Sequence, residues 1–318
     1  MDKGTHLPVL LHETVAAIGC RPGGAWVDGT AGAGGHCEAI LRATAPDGFL
    51  LACDRDPDAV AAARRRLASF GARVDLRQAD FRSLPALLDE AGLVPIDGAL
   101  LDLGISSMQL DDPDRGFSFQ REGPLDMRMD PTAGRPAADL VNGLGERDLA
   151  GLLARHGEEP AARRIARAIV RARERRPLTT TLELAAIVEQ AAGRPGLRRA
   201  HPATRTFQAL RIAVNNELDG LDRLLEGLAH RLRPGGRLAV IAFHSLEDRI
   251  VKQTFRDLGR RCVCPRDMPA CGCGRPDLVR DVIRRAVRPG PSELRDNPRS
   301  RSARLRAVER LAPAGGRP

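Results

Sequence analysis

The residues best suited to chemistry lie early in the chain, each group closing an apolar run. The stretch WVDGTAGAGGHCEAIL, Trp26 to Leu41, places Asp28 at the end of one run, then Gly29, Gly32, Gly34 and Gly35 before His36 opens a helical pattern. Glycines there let backbone N–H groups approach a ligand where any side chain would collide. Asp54 closes the next run, twenty positions beyond Gly34. A carboxylate at that place can accept hydrogen bonds from both hydroxyls of an adenosine ribose. The segment QADF closes the third and offers Asp80 as an acceptor for an adenine amine, with Phe81 as an apolar or stacking surface.

Two cofactors share that logic, a dinucleotide and S-adenosylmethionine. The loop reads G-x-G-G rather than G-x-G-x-x-G, and Asp28 stands at its start. A carboxylate is a poor neighbour for a pyrophosphate but suits a sulfonium cation or an amino group, so S-adenosylmethionine is favoured. A glycine-rich turn alone is ordinary in an α/β protein. Three motifs at successive strand ends are a more specific signal.

These groups need a scaffold that aligns strand ends. AWVDGT, GFLLACDRD, ARVDLRQADF, IDGALLDLG and GGRLAVIAFHS read as strands, with helix-length segments such as PDAVAAARRRLASFG between them, which predicts right-handed crossovers and a parallel sheet. The rhythm breaks after LLDLGISS. Residues 109–199 give a loop and then helical patterns, so the expected organisation is a discontinuous sheet domain over 1–108 and 200–318 with an inserted helical subdomain over 109–199. TRTFQALRIAVNNELDGLDRLLEGLAHRL reads as one long or broken helix, RPGG as the turn after it, and LVRDVIRRAV and ARLRAVERL as antiparallel strands at the sheet edge.

At 318 residues and 42% hydrophobic content the chain can bury a substantial core. Its start has no apolar run of signal-peptide length, and LAVIAF is far too short to span a bilayer, so the expectation is a cytoplasmic protein without a membrane partner. The segment from Arg256 onward carries 16 Arg against 7 acidic residues, an excess equal to the whole net charge of +9. Such a segment suits phosphate contact or simple solvation. Seven cysteines, an odd number, argue against a disulfide framework.

The stretch LLDLGISSMQLDDPDRGFSFQREGPLDMRMDP resembles the bacterial 16S rRNA cytosine-N4 methyltransferase family, known as RsmH or MraW. The likeness continues through HGEEPAARRIARAIV, HPATRTFQALRIAVNNEL, GGRLAVIAFHSLEDRIVK and NPRSRSARLRAVER, and so covers nearly the whole chain. It implies a Rossmann-like α/β sheet and S-adenosylmethionine-dependent methylation of the exocyclic amine of one cytosine near the decoding centre. By motif match it also implies cofactor contacts from Gly34, Gly35, His36, Asp54, Phe81, Asp102 and Gln109, with Asp80 secondary to Phe81. The partner implied is 16S rRNA within the small ribosomal subunit, and a homodimer is compatible with it. The sequence departs from many amino-methyltransferases in lacking an Asp/Asn-Pro-Pro-aromatic motif after the fourth strand, where it reads DLGISS.

Asp102 is the expected catalytic residue, orienting the amine or the methionine group and accepting the proton. Other features carry competing readings. His244 in FHSLED either contacts RNA or the target base, with Ser245, Glu247 and Asp248 capping the next helix, or is itself the hydrogen-bonded histidine that closes that helix N-terminus. Cys262, Cys264, Cys271 and Cys273 have the ligand count of a zinc site, but their C-x-C spacing is tighter than usual, and no metal is expected. The seven arginines of RRIARAIVRARERR form a solvated face or an RNA guide, and Asp126, Arg128 and Asp130 a loop salt-bridge cluster. Arg299, Arg301 and Arg304 either contact phosphate or keep a sheet edge soluble. The rival functional classes are a non-catalytic RNA-binding assembly factor and a nicotinamide-dependent oxidoreductase; binding of S-adenosylmethionine separates both from a methyltransferase.

Overall fold

A computed structural model describes residues 8–193, 201–260, 264–265, 268–269, 272–273 and 277–312. It divides into two compact units, Met1–Gly104 with Gly220–Pro318, and Ile105–Asp219. The first unit begins with α1 (Leu11–Ile18), β1 (Ala25–Asp28), α2 (Gly35–Ala43), β2 (Phe49–Asp54), α3 (Pro57–Leu67), β3 (Val74–Gln78), α4 (Leu84–Glu90) and β4 (Ile96–Asp102). The runs LLAC in β2 and IDGALL in β4 are buried throughout, as expected of parallel strands covered on both faces. Helix α3 shows how the crossovers start. Asp56 caps it by accepting from the Asp58 N–H, Pro57 supplies a preset φ in the first turn, and Ala59, Val60, Ala63 and Leu67 form the buried side.

The second unit holds α5 (Ser107–Asp111), α6 (Ala137–Gly143), α7 (Glu146–Gly157), α8 (Ala162–Arg173), α9 (Thr181–Ala192) and α10 (Thr204–Asn215). Helix α7 packs against both α8 and α10, and α8 against α9. Leu149, Leu153, Ile165, Ile169, Leu184, Val188, Phe207 and Leu210 belong to one core of its own. The unit is therefore wider than the 109–199 anticipated from the sequence. It gains α10 because the buried residues Phe207, Ala209 and Leu210 of that helix are apolar and serve the helical core. The long segment read as one long or broken helix is broken at Asn216 (φ 51°) and Gly220 (φ 72°), left-handed residues that end α10 and start the next helix.

The first unit resumes with α11 (Leu221–Arg231), β5 (Leu232–Ala242), α12 (Ser245–Leu258), β6 (Val279–Asp281), α13 (Pro291–Asp296) and β7 (Arg304–Arg310). The sheet order is β3-β2-β1-β4-β5-β7-β6. Strands β1 to β5 pair in parallel, and β7 runs antiparallel to both β5 and β6. The order reverses between β1 and β4, the topological switch point outside which such sheets bind ligands. One sequence expectation needs correction: RPGG lies inside β5, where the register against β4 jumps between Ile96 and Gly98, rather than in a turn before the strand. The expected antiparallel pairing of the last two strands at the sheet edge holds, with β6 outermost and β7 paired on both sides.

Alternate residues along the strands face two cores. Trp26, Leu50, Leu100 and Ile241 meet Ile18, Ile40 and Ala63 on one side. Val27, Leu51, Leu101 and Val240 meet Leu225, Leu228 and Val251 on the other. Among the described residues no helix is long and apolar enough to cross a membrane.

Candidate functional site

The C-terminal ends of β1 and β4 are joined by a chain of polar groups. Asp28 is fully buried. Its Oδ1 accepts from the Thr30 N–H (3.0 Å) and lies 3.3 Å from the Thr30 hydroxyl, while its Oδ2 accepts from the Cys37 thiol at 3.2 Å. The Thr30 hydroxyl oxygen also accepts from the backbone N–H of Asp102 at 2.5 Å. Burial raises the Asp28 carboxyl above the usual range, against the opposing pull of His36 and the Thr30 N–H. Burial and the Asp28 charge together push the Cys37 thiol far up, which keeps it a neutral donor. Thr30 and Cys37 were not singled out from the sequence. The D-x-T spacing of an aspartate that accepts from a backbone N–H two residues on was the available signal for Thr30.

His36 lies in the first turn of α2 and is buried, with its Nε2 3.5 Å from Asp102 Oδ2. Neither imidazole nitrogen has a hydrogen-bond partner within 3.5 Å and good geometry, and the buried Asp102 Oδ1 has none either. Burial lowers the affinity of His36 for a proton, but Asp102, Asp28 and the Val9 carbonyl outweigh it, so its pKa rises above the ordinary histidine value. The pair thus leaves one carboxylate oxygen turned to the imidazole and the other unclaimed.

Asp54 ends β2 and is half-buried, with Oδ2 accepting from the Gly32 N–H (2.8 Å) and Oδ1 from the Asp56 N–H (2.9 Å). Each oxygen keeps a lone pair for a further donor. Burial pushes its pKa up to about 6, with the two N–H groups working against that rise.

The glycines of the loop divide by purpose. Gly32 (φ 51°) is open, with no atom nearer than the Thr30 carbonyl at 3.9 Å from where a Cβ would stand. At Gly34 (φ 82°) a Cβ would come to 3.2 Å of the Ala63 Cα on α3, at Gly35 it would strike Pro8, and at Gly29 it would come to 2.5 Å of Leu101. All four were expected to allow ligand approach. In the structure an added Cβ would meet the protein itself at Gly29, Gly34 and Gly35, and only at Gly32 would it find open space.

After β3, Asp80 grips Arg82, with Oδ1 and Oδ2 each 2.7 Å from the guanidinium. Burial favours its neutral form, but the contacts to Arg82 hold its carboxyl below the usual range. Phe81, in the short turn Phe81–Ser83, packs partly buried against the core beside Gly29. Asp80 already accepts from Arg82. Gln109 belongs to the helical unit, buried at the start of α5 in a capping box. Its Oε1 accepts from the Ser106 N–H at 2.9 Å, and its own N–H reaches Ser106 Oγ at 3.2 Å.

Of the competing readings, His244 takes the capping role. Its Nδ1 accepts from the Glu247 N–H at 3.3 Å, and Glu247 Oε2 accepts from the N–H groups of Phe243 and His244. Asp248 takes no part in the cap and instead holds Arg304 (2.7 Å) and Arg306 (2.7 Å) of β7. Arg304 therefore has a structural partner within the protein. Asp126 and Arg128 form a two-pronged loop pair. Cys262 and Cys271 lie outside the described residues, while Cys264 and Cys273 are in no disulfide.

The described site keeps carboxylate lone pairs at Asp54 and an unpartnered carboxylate oxygen at Asp102 Oδ1. Acceptors of that kind fit the hydroxyls and amino group of S-adenosylmethionine. The MraW methylase family model matches residues 3–311. Three relatives are each named ribosomal RNA small subunit methyltransferase H. That of Syntrophobacter fumaroxidans is 54% identical over 309 residues, 96% of each chain. That of Syntrophus aciditrophicus is 50% identical across 96% of this chain and 98% of its own. That of Symbiobacterium thermophilum is 52% identical across 96% of both.

Proposed function

The chain belongs to the MraW methylase family, and from that membership we infer that it is an S-adenosylmethionine-dependent methyltransferase of small-subunit ribosomal RNA, acting on the exocyclic N4 amine of a cytosine. The cofactor supplies an electrophilic methyl group on a sulfonium. The rest falls to the protein. A cytosine amine is a weak nucleophile because its lone pair is delocalised into the ring, so it must be held in line and relieved of a proton as the C–N bond forms.

The observation that carries the catalytic assignment is Asp102 Oδ1, a buried carboxylate oxygen without a partner at the end of β4. It accepts an amine N–H and then the proton, while His36 Nε2 stands 3.5 Å from the other oxygen. Asp54 takes the ribose hydroxyls. Gly34, Gly35 and His36 bring the opening turn of α2 toward the cofactor and Phe81 offers its ring to the adenine, while Gln109 is assigned to the methionine end by its motif match alone.

The helical unit is proposed to hold the RNA, with the target cytosine near the decoding centre of the 16S rRNA in the small subunit. The work is placed in the cytoplasm, and a homodimer is compatible with it. Nucleoside mass spectrometry of small-subunit RNA from cells lacking the gene should show one N4-methylcytidine lost, restored by the wild-type gene and not by Asp102→Ala. An undiminished signal in the deletion strain would refute the assignment, as would normal methylation by the variant.

A further inference from the structure

Helices α7 and α8 enclose a cleft of about 1190 Å³ within the helical unit. Five arginines line it, at positions 147, 155, 163, 164 and 167, with Glu146, Asp148 and Glu159. Two of the five are committed elsewhere: Arg164 donates to the Ala192 carbonyl at 2.6 Å, and Arg167 pairs with Glu146 at 3.3 Å. Among the described residues, Arg147, Arg155 and Arg163 have no ion-pair partner, although each is exposed on this concave surface. Unneutralised guanidinium groups around a concavity reinforce one another's potential, where the same charges on a convex face would be screened singly.

The cleft also holds a group that a bare anion site would exclude. Glu159 is buried, with 4% of its surface exposed, and is fixed before α8 by its Oε1, which accepts from the Ala161 N–H at 2.9 Å. Its Oε2 has no partner. An isolated phosphate or sulfate would meet that carboxylate with like charge. A nucleotide meets both demands, with its phosphodiester on the arginine forks and a hydroxyl or amine donor for the carboxylate.

We propose that the α7–α8 cleft is a ribonucleotide-binding site, in which Arg147, Arg155 and Arg163 hold the RNA backbone and Glu159 accepts a hydrogen bond from the same strand. It rests on the RNA-methyltransferase reading and narrows it. The arginines of α8 are not equivalent. Arg173 donates to the Val141 and Leu144 carbonyls at 2.6 Å each and is a structural tie, and Arg171 and Arg175 lie outside the cleft.

The test is the affinity of the full chain for a fragment of small-subunit ribosomal RNA containing the target cytosine, measured across salt concentrations. The variants are Arg147→Gln/Arg163→Gln and the matched control Arg171→Gln/Arg175→Gln. All four residues are exposed, so both variants should fold, with unchanged thermal melting and unchanged S-adenosylmethionine binding as checks. The cleft variant should weaken RNA binding about 10-fold or more and lower the slope of log affinity against log salt by roughly 1.5. The control should do distinctly less, and Glu159→Gln should reduce the preference for RNA over DNA of the same sequence. Equal effects of the two double variants, or none from the cleft variant while wild type binds, would overturn the cleft and leave the methyltransferase reading standing. Wild type that neither binds nor methylates the fragment would instead overturn that parent reading.

Discussion

His36 Nε2 stands 3.5 Å from Asp102 Oδ2, and the other oxygen of that carboxylate is buried without a partner. One oxygen of the carboxylate thereby faces the imidazole, and the other has no protein partner among the described residues. Asp102 and Asp28 both favour the charged form of the imidazole. A histidine whose folded pKa is raised is charged below that value and loses its charge as pH rises through it. The methylation rate should therefore decline on the alkaline side. His36→Asn should lower kcat by roughly 10²-fold and abolish that alkaline limb. A pH profile parallel to wild type would reduce His36 to a packing residue. The titration of the His36 ring by NMR, shifted downward in Asp102→Asn, reports the same coupling without turnover.

Asp54 gives a second and opposite pH dependence. Its pKa of about 6 lies above the ordinary aspartate value. The folded protein therefore takes up a proton in the window between the ordinary value and about 6, and its stability falls as pH rises through that window. Cofactor affinity runs the other way, because the ribose hydroxyls need the ionised acceptor. Calorimetry should show S-adenosylmethionine binding weaken below about pH 6 in wild type and stay flat in Asp54→Asn. Asp54→Ala should cost about 1–3 kcal/mol of binding at neutral pH; unchanged affinity would remove the ribose assignment.

Two glycines in one loop should fail in different ways. Gly34→Ala puts a Cβ at 3.2 Å from the Ala63 backbone at a φ of 82°. It should lower folding stability by about 2 kcal/mol. Gly32→Ala carries the αL cost but meets no neighbour within 3.9 Å. It should melt closer to wild type while losing more cofactor affinity. Denaturant unfolding beside calorimetry separates the two, and the reverse ranking would contradict the division of roles.

Asp248 anchors β7 through Arg304 and Arg306. Burial alone would raise its pKa, but the two guanidinium groups hold it below the usual range. That stability is present above the unfolded aspartate value and is lost as pH falls through the folded one. Asp248→Asn should cost about 3 kcal/mol, because two arginines lose their carboxylate in a partly buried place. Thermal melting of Asp248→Asn at pH 7 and pH 3 should differ less than wild type does, and an equal difference would discount the pair.

Much of the sheet was legible because its strands are near-continuous apolar runs ending in Asp28, Asp54 and Asp102, and that pattern has few other uses. The limits of the helical unit were not. The segments around Thr204–Asn215 and Leu221–Arg231 carry similar helical periodicity, and periodicity does not say which core a helix serves; the left-handed residues Asn216 and Gly220 decide it. The alternation of Arg304 and Arg306 looked like an exposed edge, since sequence reports a charge and not its partner 56 or 58 residues away. The glycine loop was found for a sound reason and only partly explained by it. A Cβ excluded by Ala63 or Pro8 reads in sequence as one excluded by a ligand.

Strand β7 lies between β5 and β6 although it is the last strand in chain order. During synthesis β5 emerges with one side unpaired, and Asp248 emerges without either of its arginines. Both wait until residues 304–310 leave the exit tunnel. A nascent chain arrested before that point carries an open apolar strand and an uncompensated buried charge, the state from which chains aggregate or are captured by chaperones.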